Sequence, residues 1–180
     1  MFLSLARQRR SIRKFKTEPV KPDQLDALIE SVLRAPSSMG KNPWSFVIID
    51  DAEQLRRLAS AKQFGSQFVR NAPLAIVICA DPAISDVWIE DASIATIFIQ
   101  LAAASLGLGS CWVQIRERMH DDARSAESYI AELLNLPSKL KVESMVGIGY
   151  PAEQKAPLKA EALQYEKVFL NQYGSPFKSG

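Results

Sequence analysis

Apolar residues recur with two different spacings along this chain, and segments of the two kinds alternate from the N-terminus to about residue 150. A spacing of three or four residues indicates a helix with one apolar face, whereas a short continuous apolar run bounded by polar residues or proline indicates a buried strand. The helical segments are Phe2 to Arg10, Pro22 to Ala35, about Asp51 to Ala61, Asp91 to Leu106 and about Ser125 to Leu134. The strand segments are Trp44 to Ile49, Leu74 to Ala80, Ser110 to Ile115 and Val142 to Ile148. The pattern predicts one α+β domain over residues 1–180, without a linker or a repeat.

The segment Asp91 to Leu106 is apolar on nearly every face. Ile94, Ile97, Phe98 and Leu101 lie around the predicted helix rather than along one stripe. A helix of this kind has to be covered on all sides. We therefore expect it to be a central helix or to lie against a second copy of the chain.

The chain after Tyr150 has three prolines and no regular hydrophobic spacing. Residues 151–180 are therefore predicted to form an extended C-terminal arm. The arm has no core of its own, yet its apolar residues include Tyr165, Val168, Phe169, Leu170 and Phe177. We expect these side chains to be buried across a partner subunit, which predicts a homodimer with a large, core-like interface.

Composition and charge limit the classes of protein to which this chain can belong. Hydrophobic residues make up 47% of the chain and charged residues 23%, as in ordinary globular proteins. The formal net charge of +2 is too small to indicate a nucleic-acid or membrane partner by itself, and the apolar run from Ile94 to Leu108 is too short and too interrupted to span a bilayer. The only two cysteines, Cys79 and Cys111, lie in apolar segments, which fits free thiols in a reducing compartment. These features predict a cytoplasmic protein.

The possible chemistry is limited by what the sequence lacks. One histidine, His120, and two cysteines cannot supply a zinc site, and neither a Gly-x-Ser-x-Gly elbow nor a Walker A loop is present. The segment Gly147 to Ala152 matches a dinucleotide motif, but Pro151 and Pro157 deny it the helix that would hold a pyrophosphate. Any difficult reaction would therefore depend on an organic cofactor.

Two polar segments are candidates for binding such a cofactor. Residues 1–16 carry six cations and no acid, which is either a solvated basic face or an anion site. The second interpretation is supported by Ile12 and Phe15, which alternate with the charges and would fix the segment to the body. The side chains that would then converge on a phosphate are Arg9, Arg10, Ser11 and Arg13. The other segment, Pro36 to Trp44, is either a plain helix-to-strand connection or a loop for a heteroaromatic ring.

Taken together, these motifs resemble those of the nitroreductase family. The matching segments are Arg9-Arg10-Ser11-Ile12-Arg13-Lys14-Phe15, Ala35-Pro36-Ser37-Ser38, Asn42-Pro43-Trp44-Ser45-Phe46, Leu106-Gly107-Leu108-Gly109-Ser110-Cys111-Trp112 and Gly147-Ile148-Gly149-Tyr150-Pro151. The resemblance covers nearly the whole chain. It implies an α+β sandwich with a central antiparallel or mixed sheet flanked by helices. It also implies an intertwined homodimer with FMN at the subunit interface, in which the arm, residues 151–180, packs on the partner.

The same resemblance implies which residues bind FMN. On the phosphate and the ribityl chain they are Arg9, Arg10, Ser11 and Arg13, joined by either Lys155 or Lys159. On the ring they are Pro36, Ser37, Ser38 and Met39 of the second subunit, with Cys111, Trp112 and Val113 along the flavin. Gly40 stands where many members have a ring-contacting asparagine, so the Gly40 backbone or the amide of Asn42 would replace that contact. Cys111 is interpreted as a packing residue rather than a nucleophile, because no histidine lies near it in sequence.

The function implied by the resemblance is an NAD(P)H-dependent FMN oxidoreductase. It would reduce a small aromatic acceptor, such as a nitroaromatic or a quinone, by a two-step exchange on the flavin N5 without a catalytic side chain or a metal. The alternatives are a protein that holds or senses FMN without turnover, and a related reaction such as reductive dehalogenation. Nucleic-acid binding is disfavoured, because only one end of the chain is basic and aromatic residues are not interleaved with the cations.

Overall fold

The computed structural model describes residues 2–177 as a four-stranded sheet with helices on both faces. The helices are α1 Phe2–Gln8, α2 Pro22–Leu33, α3 Ala52–Ala59, α4 Trp88–Ser105 and α5 Ala126–Leu133. The strands are β1 Trp44–Ile49, β2 Leu74–Ala80, β3 Gly109–Gln114 and β4 Lys141–Gly149. Each helix and strand expected from the hydrophobic pattern is present, with its ends displaced by at most three residues.

The sheet has the order β1-β2-β4-β3, and all neighbouring strands are antiparallel. The two central strands, β2 and β4, are buried along almost their whole lengths, because both of their faces are covered. On one face α3 and α5 pack through residues such as Leu58 and Ile130, and on the other α2 and α4 pack through residues such as Leu28 and Ile99. The sandwich predicted from the sequence is confirmed, and its sheet is antiparallel rather than mixed.

Helix α4 differs from its prediction in two respects. It begins at Trp88 rather than Asp91, which leaves Glu90 and Asp91 in the first turn, where acids are favoured by the helix dipole. One side of α4 is buried against the sheet and α2, but Ile94 and Ile97 are 36% and 37% exposed. The single chain therefore does not bury α4 as a central helix, because the sheet and α2 cover only part of its surface. Cover by a second copy remains a prediction.

The segment after α1 runs along the edge of the sheet. Its backbone bonds link Ile12 N–H to Ser110 O at 3.0 Å and Lys16 N–H to Tyr150 O at 2.9 Å. Gly109 makes this close approach possible, since a Cβ there would lie 2.8 Å from the Ile12 side chain. With Ile12 buried, the neighbouring arginines have a fixed direction.

The C-terminal arm leaves the body after about residue 156. From residue 157 to residue 177 it is almost entirely exposed, and it contains the short 3-10 turns Ala160–Ala162 and Tyr165–Lys167. A hook, residues 168–177, is closed by bonds from Phe177 N–H to Val168 O and from Leu170 N–H to Ser175 O. The arm is thus not extended throughout, and its packing on a partner remains a prediction. Residues 178–180, its predicted end, lie outside the described residues, as does Met1.

Between residues 2 and 177, no helix combines the length and apolar character needed to cross a membrane.

Candidate functional site

The N-terminal segment and the end of β4 enclose a cleft at the β3 edge of the sheet. Its lining includes Arg9, Arg10, Ser110 and Lys155. The Lys155 ammonium donates to the carbonyl oxygen of Ser11 at 2.7 Å, although the two residues are 144 positions apart. The cleft therefore collects cations from both ends of the chain.

A carboxylate organises these cations. Glu153 Oε1 accepts hydrogen bonds from the backbone N–H groups of Arg13 at 2.6 Å and Lys14 at 3.2 Å, and it lies 3.4 Å from Lys155 Nζ. The bond from Arg13 N–H is the main reason that the pKa of Glu153 lies below its usual range. Glu153 thus fixes the backbone beside Arg13 and orients Lys155. Sequence patterns did not single it out, because its partners lie far away in sequence.

The pKa of the Cys111 thiol reflects the charged groups around it. Cys111 is 2% exposed, and burial raises the pKa of its thiol. Arg13, a hydrogen bond from Ser11, Lys155 and Arg9 act on the same pKa in the opposite direction. Arg9 and Lys155 line the same cleft and Lys155 bonds to the Ser11 carbonyl, so these predicted phosphate residues form a cluster, whereas Arg13 lines a second pocket together with Lys14. A phosphate suits such a cluster, since guanidinium groups form forked, charge-assisted bonds to its oxygens.

The two other residues predicted to bind the phosphate, Arg10 and Lys159, lie in different parts of the structure. The Arg10 guanidinium lines the cleft and donates to the carbonyl oxygen of Ala156, so it also ties the N-terminal segment to the start of the arm. Lys159 lies in the exposed part of the arm and is not among the residues that line the cleft. Of the two lysines left open by the sequence, the structure brings Lys155 and not Lys159 into the cluster.

The predicted ring-binding loop, residues 36–42, has an unusual backbone. Met39, Gly40 and Asn42 have φ values of 52°, 66° and 48°, in the left-handed region. For a residue such as Met39 this conformation costs on the order of 1–3 kcal/mol, and it persists only where the surroundings impose it. Asn42 Oδ1 accepts from Ser37 Oγ at 2.7 Å, so this oxygen is used inside the loop. In the single chain, Pro36, Ser37, Ser38 and Met39 do not line the Arg9 cleft.

Strand β3 carries a hydrogen-bond chain that the sequence did not indicate. Trp112 Nε1 donates to Gln114 Oε1 at 3.0 Å, and Gln114 Nε2 lies 3.4 Å from Glu143 Oε1. Glu143 is 3% exposed, and burial raises the pKa of its carboxyl group. An acidic residue within a strand predicted to be buried was the available signal. Val113, on the opposite face of β3, is buried in the core.

One further cation, Lys62, is partly buried in the loop after α3. Burial lowers the pKa of the Lys62 ammonium, and the nearby Arg118 lowers it further. Lys62 follows α3 in a loop with no recognisable motif, so the sequence did not single it out.

Burial predicts that both cysteines react slowly. Burial raises the pKa of the Cys79 thiol to about 12 and also raises that of Cys111, so the reactive thiolates form only above the ordinary pH range of a thiol. In native protein at pH 7.5, we expect thiol-disulfide reagents to modify either cysteine at least about tenfold more slowly than in the unfolded chain. Rapid modification of native Cys111 would instead identify it as a reactive thiol.

Comparisons with known proteins agree with this architecture. A family model described as "Nitroreductase family" matches residues 6–63 and 54–150. A solved structure of an FMN-dependent nitroreductase from Clostridium difficile R20291 is similar to this chain with a TM-score of 0.94 and 48% identity, covering 95% of this chain and 99% of that one.

Two named proteins are also similar over most of their lengths. A protein of Archaeoglobus fulgidus named "Putative NADH dehydrogenase/NAD(P)H nitroreductase" is 36% identical over 157 residues, covering 85% of this chain and 87% of that protein. An "FMN reductase [NAD(P)H]" of Bacillus subtilis is 29% identical over 187 residues, covering 91% of this chain and 72% of that protein. The fold, the order of the motifs and these matches place the chain in the nitroreductase family.

Proposed function

We propose that this protein is an FMN-dependent oxidoreductase that takes electrons from NAD(P)H and passes them to a small, electron-poor aromatic acceptor. The main supporting observation is that Arg9, Arg10 and Lys155 line one cleft, where Lys155 also bonds to the carbonyl oxygen of Ser11. Relatives named FMN reductase [NAD(P)H], NADPH-flavin oxidoreductase and FMN-dependent nitroreductase support FMN as the cofactor and NAD(P)H as its reductant.

The residues of the cleft fit the phosphate end of FMN. Several cations face a single organising carboxylate, Glu153, so the site retains an excess of positive charge for a terminal phosphate. Arg9, Ser11, Arg13 and Lys155 would hold the phosphate and the ribityl chain. The backbone from Cys111 to Val113 would lie along the ring. FMN bound there would supply the electron-transfer chemistry, and the chain's own residues would bind and orient it.

The site is proposed to be completed by a second subunit. The ring-binding loop, residues 36–42, does not line the Arg9 cleft in the single chain, so a partner's loop would supply the ring contacts. An apolar groove lined by Phe2, Leu5, Phe98 and Leu101 and the exposed face of α4 offer a surface for that partner. We propose that residues 1–180 form one domain of a homodimer, with residues 151–180 packed across the partner.

The two substrates are proposed to use the same face of the flavin in turn. The Gly147 to Ala152 segment leads into the exposed arm and not into a helix, so it does not provide a separate dinucleotide site. The chain's contribution would then be to orient each flat substrate on the ring and to present backbone dipoles near its reactive edge. Nitroaromatics and quinones suit a pocket that requires only a flat, reducible ring.

Steady-state kinetics with both substrates varied test this proposal. Parallel double-reciprocal lines are expected, because the first product leaves before the acceptor binds. Reduction of the bound flavin by NADH or NADPH without oxygen should occur before any acceptor is added. Intersecting lines would refute the two-step exchange, and a flavin that neither nicotinamide reduces would favour a protein that holds FMN without turnover.

We also propose that the protein is located in the cytoplasm. Cys79 and Cys111 are both buried and unpaired. Buried free thiols fit the reducing conditions of the cytoplasm, where structural disulfides are rare.

A further inference from the structure

A buried carboxylate at the start of α4 holds the ring-binding loop, residues 36–42, to the body. Asp91 Oδ1 accepts a hydrogen bond from the backbone N–H of Ser38 at 2.7 Å. Asp91 Oδ2 accepts from the Ser85 hydroxyl at 2.8 Å. Both carboxylate oxygens are therefore engaged, and one of them reaches the centre of the loop across 53 positions of sequence.

The loop needs such an anchor because its own bonds do not place it. Ser37 Oγ bonds to Asn42 at both its side chain and its N–H, and the Gly40 and Lys41 N–H groups bond back to Ser37 and Ser38. These bonds set the shape of the loop but not its position on the protein. The bond to Asp91 joins that shape to α4, a rigid helix of 18 residues.

Asp91 is unusual in being an acid that is only 2% exposed. A buried charge is unfavourable unless hydrogen bonds and dipoles compensate it. Asp91 has two donors, and its place in the first turn of α4 adds the favourable end of the helix dipole. Charge-assisted hydrogen bonds are roughly twice as strong as neutral ones, so the carboxylate binds the Ser38 N–H more strongly than an amide would.

We propose that Asp91 is a positioning residue, which sets the place of residues 37–42 against the flavin ring through the Ser38 N–H group. This inference rests on the proposed FMN function, because the anchored loop is the one proposed to contact the flavin ring. Asp91 does not touch the ring itself; it acts through the backbone of Ser38.

Two pairs of variants test the anchor from both ends. Asp91→Ala removes the acceptor, whereas Asp91→Asn keeps a weaker, neutral one. Ser38→Pro removes both the hydroxyl group and the N–H donor of Ser38 and leaves Asp91 intact. Its control, Ser38→Ala, removes the hydroxyl group but keeps the N–H donor. Proline suits this position, because Ser37 is extended and Ser38 begins a 3-10 turn. The readouts are FMN affinity by fluorescence titration, the visible circular dichroism of bound flavin, and hydrogen exchange of the Met39 to Asn42 amides.

We expect Asp91→Ala to weaken FMN about tenfold to a hundredfold, to change the flavin dichroism and to accelerate exchange in the loop. Asp91→Asn should keep the FMN affinity within about threefold of wild type, because a neutral hydrogen bond replaces the charged one. Ser38→Pro should reproduce the Asp91→Ala changes relative to Ser38→Ala. Folding of each variant is checked by far-ultraviolet dichroism, and the Ser38 pair tests the anchor even where Asp91→Ala does not fold.

Folded Asp91→Ala or Ser38→Pro protein with unchanged loop exchange and unchanged FMN affinity would overturn the proposal. Faster loop exchange without any change in FMN binding or dichroism would also overturn it, since the anchor would then be structural only. A wild-type protein that binds no FMN would refute the proposed function instead, and the exchange measurement would still report on the anchor.

Discussion

Replacing Arg13 with methionine should weaken FMN binding about tenfold to a hundredfold, because a hydrogen bond to a charged group contributes roughly 1.5–3 kcal/mol. The positive charge of Arg13 acts on the Cys111 thiol, as do those of Arg9 and Lys155, which line the cleft. Its backbone N–H, which binds Glu153, is retained in the variant, so the path of the segment should not change. Fluorescence titration of the apoprotein with FMN measures the effect.

Lys14→Met is the matched control for this prediction. Lys14 carries the same charge one residue further along the segment, but it is not among the cations that act on the Cys111 thiol. We expect its FMN affinity to stay within about threefold of wild type, since exposed charges at a distance are screened by salt. Equal losses in both variants would mean that FMN senses only the net charge of the segment, and no loss in Arg13→Met would remove Arg13 from the site.

Ile97→Asp should separate the proposed dimer into monomers and abolish stable FMN binding. Ile97 lies on the exposed apolar face of α4, and a core-like interface would leave the new carboxylate buried and unpaired. An uncompensated buried charge costs about 3–5 kcal/mol, which corresponds to a dissociation constant raised at least about a hundredfold. Sedimentation at micromolar concentration, followed at the flavin absorption band, measures both effects.

Ser60→Asp is the control for a change of charge alone. Ser60 is exposed at the end of α3, on the face of the sheet opposite to α4. This variant should remain dimeric and loaded with FMN. A folded Ile97→Asp protein that stays dimeric would show that the interface lies elsewhere, and a wild-type monomer that retains FMN would refute the shared site altogether.

Local patterns were sufficient to predict the helices and strands. The run Leu74 to Ala80 indicated a strand buried on both faces, and the structure places it in the middle of the sheet. Ile12 and Phe15 predicted a segment fixed to the body, and both side chains are buried. These features depend on the pattern of apolar residues over a few consecutive positions, which hydrophobic burial imposes directly.

The sequence could not identify the residues that support the candidate site. Glu153 organises Arg13 and Lys155, and Asp91 holds the loop at Ser38. Their partners are remote in sequence, and an isolated acid in a loop or at a helix start has the same local pattern whether or not it makes such bonds.

The sequence by itself determined the order of elements, the basic N-terminal segment and the family to which its motifs belong. The tertiary structure decided that Lys155 rather than Lys159 joins the cations, and that α4 leaves an apolar face open. The physical reason is one of range. Helix and strand periodicity is set by neighbours within a turn or two, whereas a hydrogen bond such as that from Lys155 to the Ser11 carbonyl requires the sheet to bring the two ends of the chain together.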